Sequence, residues 1–226
     1  MRFRIVKVKT MTKKIKYTHV IWDWNGTLLD DVNWSVQSIN IMLAKRNLPV
    51  FDSADAYHRM FGFPVIDYYR RMGFDFDKEP FEELAEEFIG LYHSGEENFV
   101  LFPDVKNTLA AIKNFGLRQV ILSASKLSNL LLQIKLFNIE CYFDEILGMS
   151  DIYAASKIDI GKAYMASTDI GKAVLIGDTA HDCEVAEALG ADCVLIANGH
   201  NSKSALLSCG VPVVDDITEV IKFLKG

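Results

Sequence analysis

Cysteine is scarce in this chain, and the four present (Cys141, Cys183, Cys193 and Cys209) form no CxxC pair and no Cys/His spacing. That excludes a structural zinc module and leaves reduced, buried thiols in a cytoplasmic protein as the expectation. No apolar run approaches the ~20 residues of a membrane span. Positive charge is also short: the net charge is −6, which argues against nucleic acid or an anionic membrane as the main partner. The exception is local. Residues 1–16 hold Arg2, Arg4, Lys7, Lys9, Lys13, Lys14 and Lys16, alternating with apolar residues. They lack the continuous apolar core of a secretion signal and read as a basic, solvated extension, with Met11 as an alternative start.

What is abundant is apolar surface: half of the 226 residues are hydrophobic, enough for a sizeable core. One stretch organises the rest. Val20, Ile21 and Trp22 form an apolar run that stops at Asp23, as a buried strand does when it delivers a carboxylate to the carboxyl edge of a sheet. Gly26 permits a tight turn and Thr27 brings a hydroxyl. From residue 31 to 98 the pattern is helical throughout. Helices are expected over 33–47, over 53–60 behind an N-cap Ser53 or Asp52, over 65–72 and over 78–92. Phe61-Gly62-Phe63-Pro64 breaks this run, and its aromatic rings either pack or line a substrate mouth. Nearby His58, Arg59, Arg70 and Arg71 are candidates for a substrate anion, though a solvated helix face is the simpler role for each.

From Leu101 onward, helix and strand alternate with short links. Strands are expected at 118–123, 143–147, 173–177, 191–197 and 211–214, with helices between them. That order predicts an α/β fold: a Rossmann-like, doubly wound parallel sheet with an all-helical domain inserted after the first strand. Its boundaries are 17–30 and 99–226 for the core and 31–98 for the insert. Such sheets bind ligands beyond the carboxyl ends of their strands. Asp23, Ser123 and Gly177-Asp178 all fall at such ends, and Lys157 opens a helix. Two carboxylates, a lysine and hydroxyls suit phosphoryl transfer. A carboxylate can attack phosphorus, while a cation with hard oxygen ligands and a lysine neutralise the phosphoryl oxygens.

These positions resemble the haloacid dehalogenase superfamily in its phosphoglycolate-phosphatase-like branch. The first motif, DxDGT, is seen as Asp23-Trp24-Asn25-Gly26-Thr27. The second is Ser123, with Ser125 a near rival. The third is Lys157, with Lys162 a rival one turn on, and the fourth is Gly177-Asp178-Thr179-Ala180-His181-Asp182. The helical insert resembles the family's cap. The resemblance implies that Asp23 is the nucleophile and a Mg²⁺ ligand, joined by the Asn25 carbonyl and Asp178. Asp182 would orient a metal-bound water or pair with Lys157. Ser123 and Lys157 would bind the phosphoryl group, with Thr27 a supporting hydroxyl beside it. His181 and His200 are read as ordinary helix and turn histidines.

One residue departs from the pattern. In the family's phosphatases the second Asp of the first motif is the general acid/base, and here it is Asn25. An amide has no titratable proton near neutral pH, and losing a general acid/base costs about 10²–10⁴ in rate. The expected function is therefore a Mg²⁺-dependent phosphatase for a small phosphorylated metabolite. The alternatives are an impaired phosphate- or metabolite-binding protein and a phosphotransferase. On this reading Asn25→Asp returns an acid/base to an otherwise intact site. A homodimer is left open.

Overall fold

The computed structural model describes residues 15–150 and 156–226. The basic extension thus lies almost wholly outside the described residues. Of its charges, Lys16 pairs with Asp192 at 3.0 Å.

The described residues form eight strands and ten α-helices, and the six strands of the main sheet and nine of the helices follow the expected order. β1 (His19–Trp22), β4 (Arg118–Lys126), β5 (Glu145–Met149), β6 (Ala173–Gly177), β7 (Asp192–Ile196) and β8 (Val213–Val214) form a six-stranded sheet. Its order is β5-β4-β1-β6-β7-β8 and every pairing is parallel. The two-residue alternation of strand side chains sorts the core into two layers. Val20 and Trp22 of β1, with Val174 and Ile176 of β6, point to one face. That face is covered by α5 (Val105–Asn114), α6 (Leu127–Phe137) and α10 (Thr218–Lys225). Ile21, Leu175 and Leu195 point to the other, under α7 (Lys157–Ser167), α8 (Ala180–Leu189) and α9 (Lys203–Leu207). β1 lies between β4, reached first, and β6, reached later. The connections therefore reverse direction at β1 and open a crevice beyond its carboxyl end, where Asp23 sits.

The insert is a separate helical layer: α1 (Val32–Lys45), α2 (Ala54–Met60), α3 (Val65–Arg71) and α4 (Phe81–His93). It has its own apolar cluster, built on Ile39, Met42, Leu43 and Leu84. Arg46 ties α1 to the α4 side, with hydrogen bonds to Glu79 at 2.7 and 2.6 Å and to Glu87 at 2.6 Å. The chain enters and leaves this layer through a two-stranded antiparallel ribbon, β2 (Leu29–Asp30) with β3 (Val100–Leu101). That hinge ribbon has no expectation in the sequence, because two-residue strands carry too little periodicity to read. α9 is unexpected for the same reason. β4 runs three residues beyond the expected Ser123, past a register shift between Leu122 and Lys126. Ser53 is the cap of α2, accepting from the Ala56 amide. The cysteines differ from expectation: all four are free thiols, but only Cys193 is buried and Cys141 is exposed.

Leu43→Ala, which empties a fully buried position of the cap layer, is expected to cost about 2–5 kcal/mol in urea unfolding. Leu132→Ala on the 66% exposed face of α6 is expected to change stability by less than about 0.5 kcal/mol.

Candidate active site

β1 ends at Trp22, and the Asp23 amide still follows the sheet, donating to Ile176 O at 2.9 Å. The next residues leave it in a tight turn in which the Thr27, Leu28 and Leu29 amides all donate to Trp24 O. Trp24 anchors this turn from below: its side chain is fully buried and its indole donates to Gln133 at 2.7 Å. Gly26 has φ +70°, and a Cβ there would run into the Asp178 carboxylate and the His200 ring. A Cβ on Gly199 would meet the same carboxylate. The two glycines are what let Asp178 lie against both loops.

Asp23, Asp178 and Asp182 bring carboxylate oxygens within 4.8 Å of one another. Lys157 is buried between two of them, 2.8 Å from Asp23 Oδ1 and 2.6 Å from Asp182 Oδ1. Asp23 Oδ1 also accepts the Trp24 amide at 2.7 Å. Among the described residues no donor reaches Asp23 Oδ2. Asp178 takes the Thr27 hydroxyl at 2.7 Å and the His200 amide at 2.7 Å. Asp182 Oδ2 accepts the amides of Asp178 and Thr179 and the Thr179 hydroxyl. Asp182 thus closes the capping box of α8 and holds Lys157.

Several expected roles can now be placed. Lys157, not Lys162, reaches the carboxylates. Asp182 pairs with Lys157, and its oxygens are occupied by that lysine and the Thr179 loop. Thr27 is fully buried and its hydroxyl hydrogen goes to Asp178. It therefore orients that carboxylate. Ser123 is buried and its Oγ accepts the Ser125 amide at 3.0 Å, while the Ser125 hydroxyl donates to Asn25 Oδ1 at 2.7 Å. His181 pairs with Glu184 and stacks on Phe63 at 4.6 Å. Arg70 is engaged by Asp67, and Arg71 by the Met60 carbonyl. His58 and Arg59 line a cleft of about 560 Å³ between the cap and α8–α9.

A second constellation escaped the sequence reading. His200 is buried, with Nδ1 2.8 Å from the Tyr57 hydroxyl and Nε2 3.3 Å from Asp31 Oδ1. Asp31 also accepts the Gly26 amide at 2.8 Å, Asn25 Nδ2 at 2.9 Å and the Tyr92 hydroxyl at 2.5 Å. Tyr57 belongs to α2 and Tyr92 to α4, so the inserted layer reaches the loop after β1 through two hydroxyls. In one dimension these residues lie up to 175 positions apart and share no motif. Of these residues the sequence singled out only His200, as a turn histidine following a strand end.

The charges do not balance without help. Asp23, Asp31, Asp178 and Asp182 are four carboxylates, and Lys157 and His200 are the cations that contact them. Burial and the Asp182 charge push Asp23 up to about 7 against the pull of Lys157. Burial raises Asp178 to about 6, opposed by the His200 charge. Burial would raise Asp182 too, but Lys157 and the Thr179 hydrogen bonds bring it below its ordinary value. Burial disfavours a charged His200, yet Asp31 outweighs it and raises the imidazole to about 9. Asp31 is correspondingly lowered, its burial outweighed by His200, Tyr92 and Asn25. The deficit of two positive charges falls on Asp23 and Asp178. Hard oxygen donors with that deficit fit a divalent cation such as Mg²⁺.

A family model for haloacid dehalogenase-like hydrolases matches residues 20–196. The chain belongs to that family. It is 27% identical over 222 residues to a phosphoglycolate phosphatase of Pseudomonas savastanoi, covering 89% of this chain and 78% of that one. It is 29% identical over 189 residues to the tyrosine-protein kinase PtkA of Mycobacterium tuberculosis, covering 80% of this chain and 62% of that one. The solved structure of that kinase aligns with a TM-score of 0.78 at 26% identity, over 92% of this chain and 98% of the other. A predicted phosphatase from Clostridium acetobutylicum aligns over 92% and 98% with a TM-score of 0.75 at 23% identity, a likeness of fold.

The raised carboxylates set a pH dependence. In the metal-free protein Asp23 and Asp178 hold a proton more tightly folded than unfolded. Their contribution to stability is full below about pH 4 and is lost as pH rises through about 6 and 7. Proton and cation compete for the same oxygens, so Mg²⁺ is expected to raise the melting temperature more at pH 8 than at pH 5. Thermal melts with and without Mg²⁺ check this.

Proposed function

We propose that this protein is a Mg²⁺-dependent phosphatase of small phosphorylated metabolites, working through an aspartyl-phosphate on Asp23. The observation that carries this reading is the state of Asp23: one oxygen pinned by Lys157 and the Trp24 amide, the other unengaged at a partly exposed crevice. The four family motifs converge on this crevice, and the similarity to phosphoglycolate phosphatases fits it.

In this mechanism Asp23 Oδ2 attacks phosphorus. The bond to the leaving oxygen breaks, its electron pair departs with that oxygen, and the oxygen takes a proton from water. A second water then attacks phosphorus, the Asp23–phosphorus bond breaks, and phosphate and the Asp23 carboxylate are released. Asp182 holds the Lys157 ammonium beside Asp23, where it faces a bound phosphoryl oxygen. Ser123 and Ser125 line the neighbouring strand end, with Ser125 Oγ held by the Asn25 amide. Asp23, Asp178 and the Asn25 carbonyl would hold Mg²⁺, which supplies positive charge against the phosphoryl oxygens. Thr27 and the His200 amide keep Asp178 oriented for that role. The cap layer, anchored by Tyr57 and Tyr92, would limit water at the crevice and select the rest of the substrate.

Phosphate release from a panel of phosphorylated metabolites is expected to require Mg²⁺ and to stop on chelation. Asp23→Asn is expected to lower it by more than about 10³-fold. Turnover retained in that variant overturns the assignment.

A further inference from the structure

Resting on the reading of Asp23, Asn25 and Asp178 as the holders of Mg²⁺, we propose that Asp31 is the positioning residue of that cation site. It clamps the Asn25 carbonyl in place, and position 25 is an amide because an amide is what matches this clamp.

Asp31 grips the turn at two points. Its Oδ2 accepts Asn25 Nδ2 at 2.9 Å, and its Oδ1 accepts the Gly26 amide at 2.8 Å. The Gly26 amide and the Asn25 carbonyl belong to one planar trans peptide unit, so its N–H and C=O point in opposite directions. A carboxylate that holds the N–H therefore sets the direction of the C=O, which faces away from Asp31. The same peptide unit lies beside the carboxylate cluster, since a Cβ on Gly26 would run into Asp178. Asp31 is not a member of that cluster of Asp23, Asp178 and Asp182. Its charge is met by His200, with Nε2 3.3 Å from Oδ1. It acts on the cation site through Asn25 alone.

The cap closes the clamp. The Tyr92 hydroxyl donates to Asp31 Oδ2 at 2.5 Å and accepts the second Asn25 Nδ2 hydrogen at 2.8 Å. Asn25 Oδ1 takes the Ser125 hydroxyl at 2.7 Å, so both ends of the amide are used. Tyr92 is itself held. Its ring stacks on Phe88 and packs on Phe99, with centroids 5.9 and 4.9 Å away, and its carbonyl accepts the Trp34 indole at 2.7 Å. Phe88 lies on α4 and Trp34 on α1, so two cap helices meet at the residue that closes the clamp.

This geometry overturns the simple expectation for Asn25→Asp. That change puts an oxygen in place of Nδ2, 2.9 Å from Asp31 Oδ2, and sets two buried carboxylates against each other. The exchange N25D/D31N avoids the conflict. The amide oxygen at 31 accepts the Gly26 amide and faces His200, and its NH₂ donates to the carboxylate at 25. Ser125 donates to that carboxylate too. The Tyr92 hydroxyl donates to the carboxylate at 25 and accepts from the amide at 31. Donor and acceptor trade places, and the peptide unit keeps its anchor.

Charge alone has the opposite sign. An extra carboxylate beside a cation site attracts the cation, which makes N25D bind Mg²⁺ more tightly, whereas loss of the clamp makes it bind less tightly.

Mg²⁺ binding to the whole chain is measured by titration calorimetry at about pH 8, where the site's carboxylates are ionised, with thermal melts in EDTA as the check on folding. N25D is expected to bind about 10–100-fold more weakly, the loss that follows when the support of a metal ligand is removed. Tyr92→Phe keeps the ring, removes the hydroxyl and is expected to bind about fivefold more weakly. N25D/D31N is expected to recover most of the affinity that N25D loses. A wild type that binds Mg²⁺ beside an N25D that binds as tightly or more tightly overturns the clamp and leaves the phosphatase reading standing. A folded exchange variant that binds no better than N25D does the same. Should N25D fail to fold, Tyr92→Phe decides, and an unchanged Mg²⁺ affinity there overturns the clamp. A wild type that binds no Mg²⁺ removes the clamp and the phosphatase reading together.

Discussion

A single buried ammonium holds the candidate site together. Lys157 lies between Asp23 and Asp182, and without it two carboxylates would face each other in a place where neither is well hydrated. Removing one partner of a buried charge pair costs far more than the pair itself contributes, because the other charge is stranded. Lys157 is presented by the first turn of α7, where the Ser156–Asp159 capping box fixes the chain direction. Asp182 comes from the first turn of α8 and Asp23 from the end of β1. One side chain therefore couples two helix starts on one face of the sheet to the central strand, and the position of Asp23 depends on all of them.

The remaining imbalance of charge is informative in the same way. Asp31 is neutralised by His200, and Asp182 by Lys157, while Asp23 and Asp178 keep raised pKa values. Those two share a crevice open to solvent at Asp23. Adjacent carboxylates that outnumber the cations beside them in this way fit a divalent cation. The cap layer meets this site through two tyrosines. It contributes the hydroxyls of Tyr57 and Tyr92, which meet the His200–Asp31 pair, so that the layer above and the loop below share one hydrogen-bonded network.

Asn25 takes a different meaning in that network. Viewed alone it is a missing acid, and the deficit belongs to one residue. Viewed with Asp31 it is half of a pair in which amide and carboxylate are complementary, and neither can change alone without leaving a buried polar group unmatched. The departure is then a built feature of the site, held by Asp31, Tyr92 and Ser125.

The sequence by itself determined the parallel α/β core, the helical insert after the first strand and the order of Asp23, Ser123, Lys157 and Asp178 along the carboxyl edge. These are legible because they are local: strand periodicity, helix caps and a strand's last residue are set by neighbours within a few positions. The choice of Lys157 over Lys162 was legible too, since only the helix start projects to that edge. Tertiary structure alone decided what these residues touch. The Thr27 hydroxyl is held on Asp178, Asp182 pairs with Lys157, and the His200 ring lies between Tyr57 and Asp31. The Asn25–Asp31–Tyr92 contact joins a loop, a hinge and the far end of a cap helix. Such contacts are fixed by how the layers pack, at sequence separations where no periodicity carries information, and it is there that the chemistry of position 25 is set.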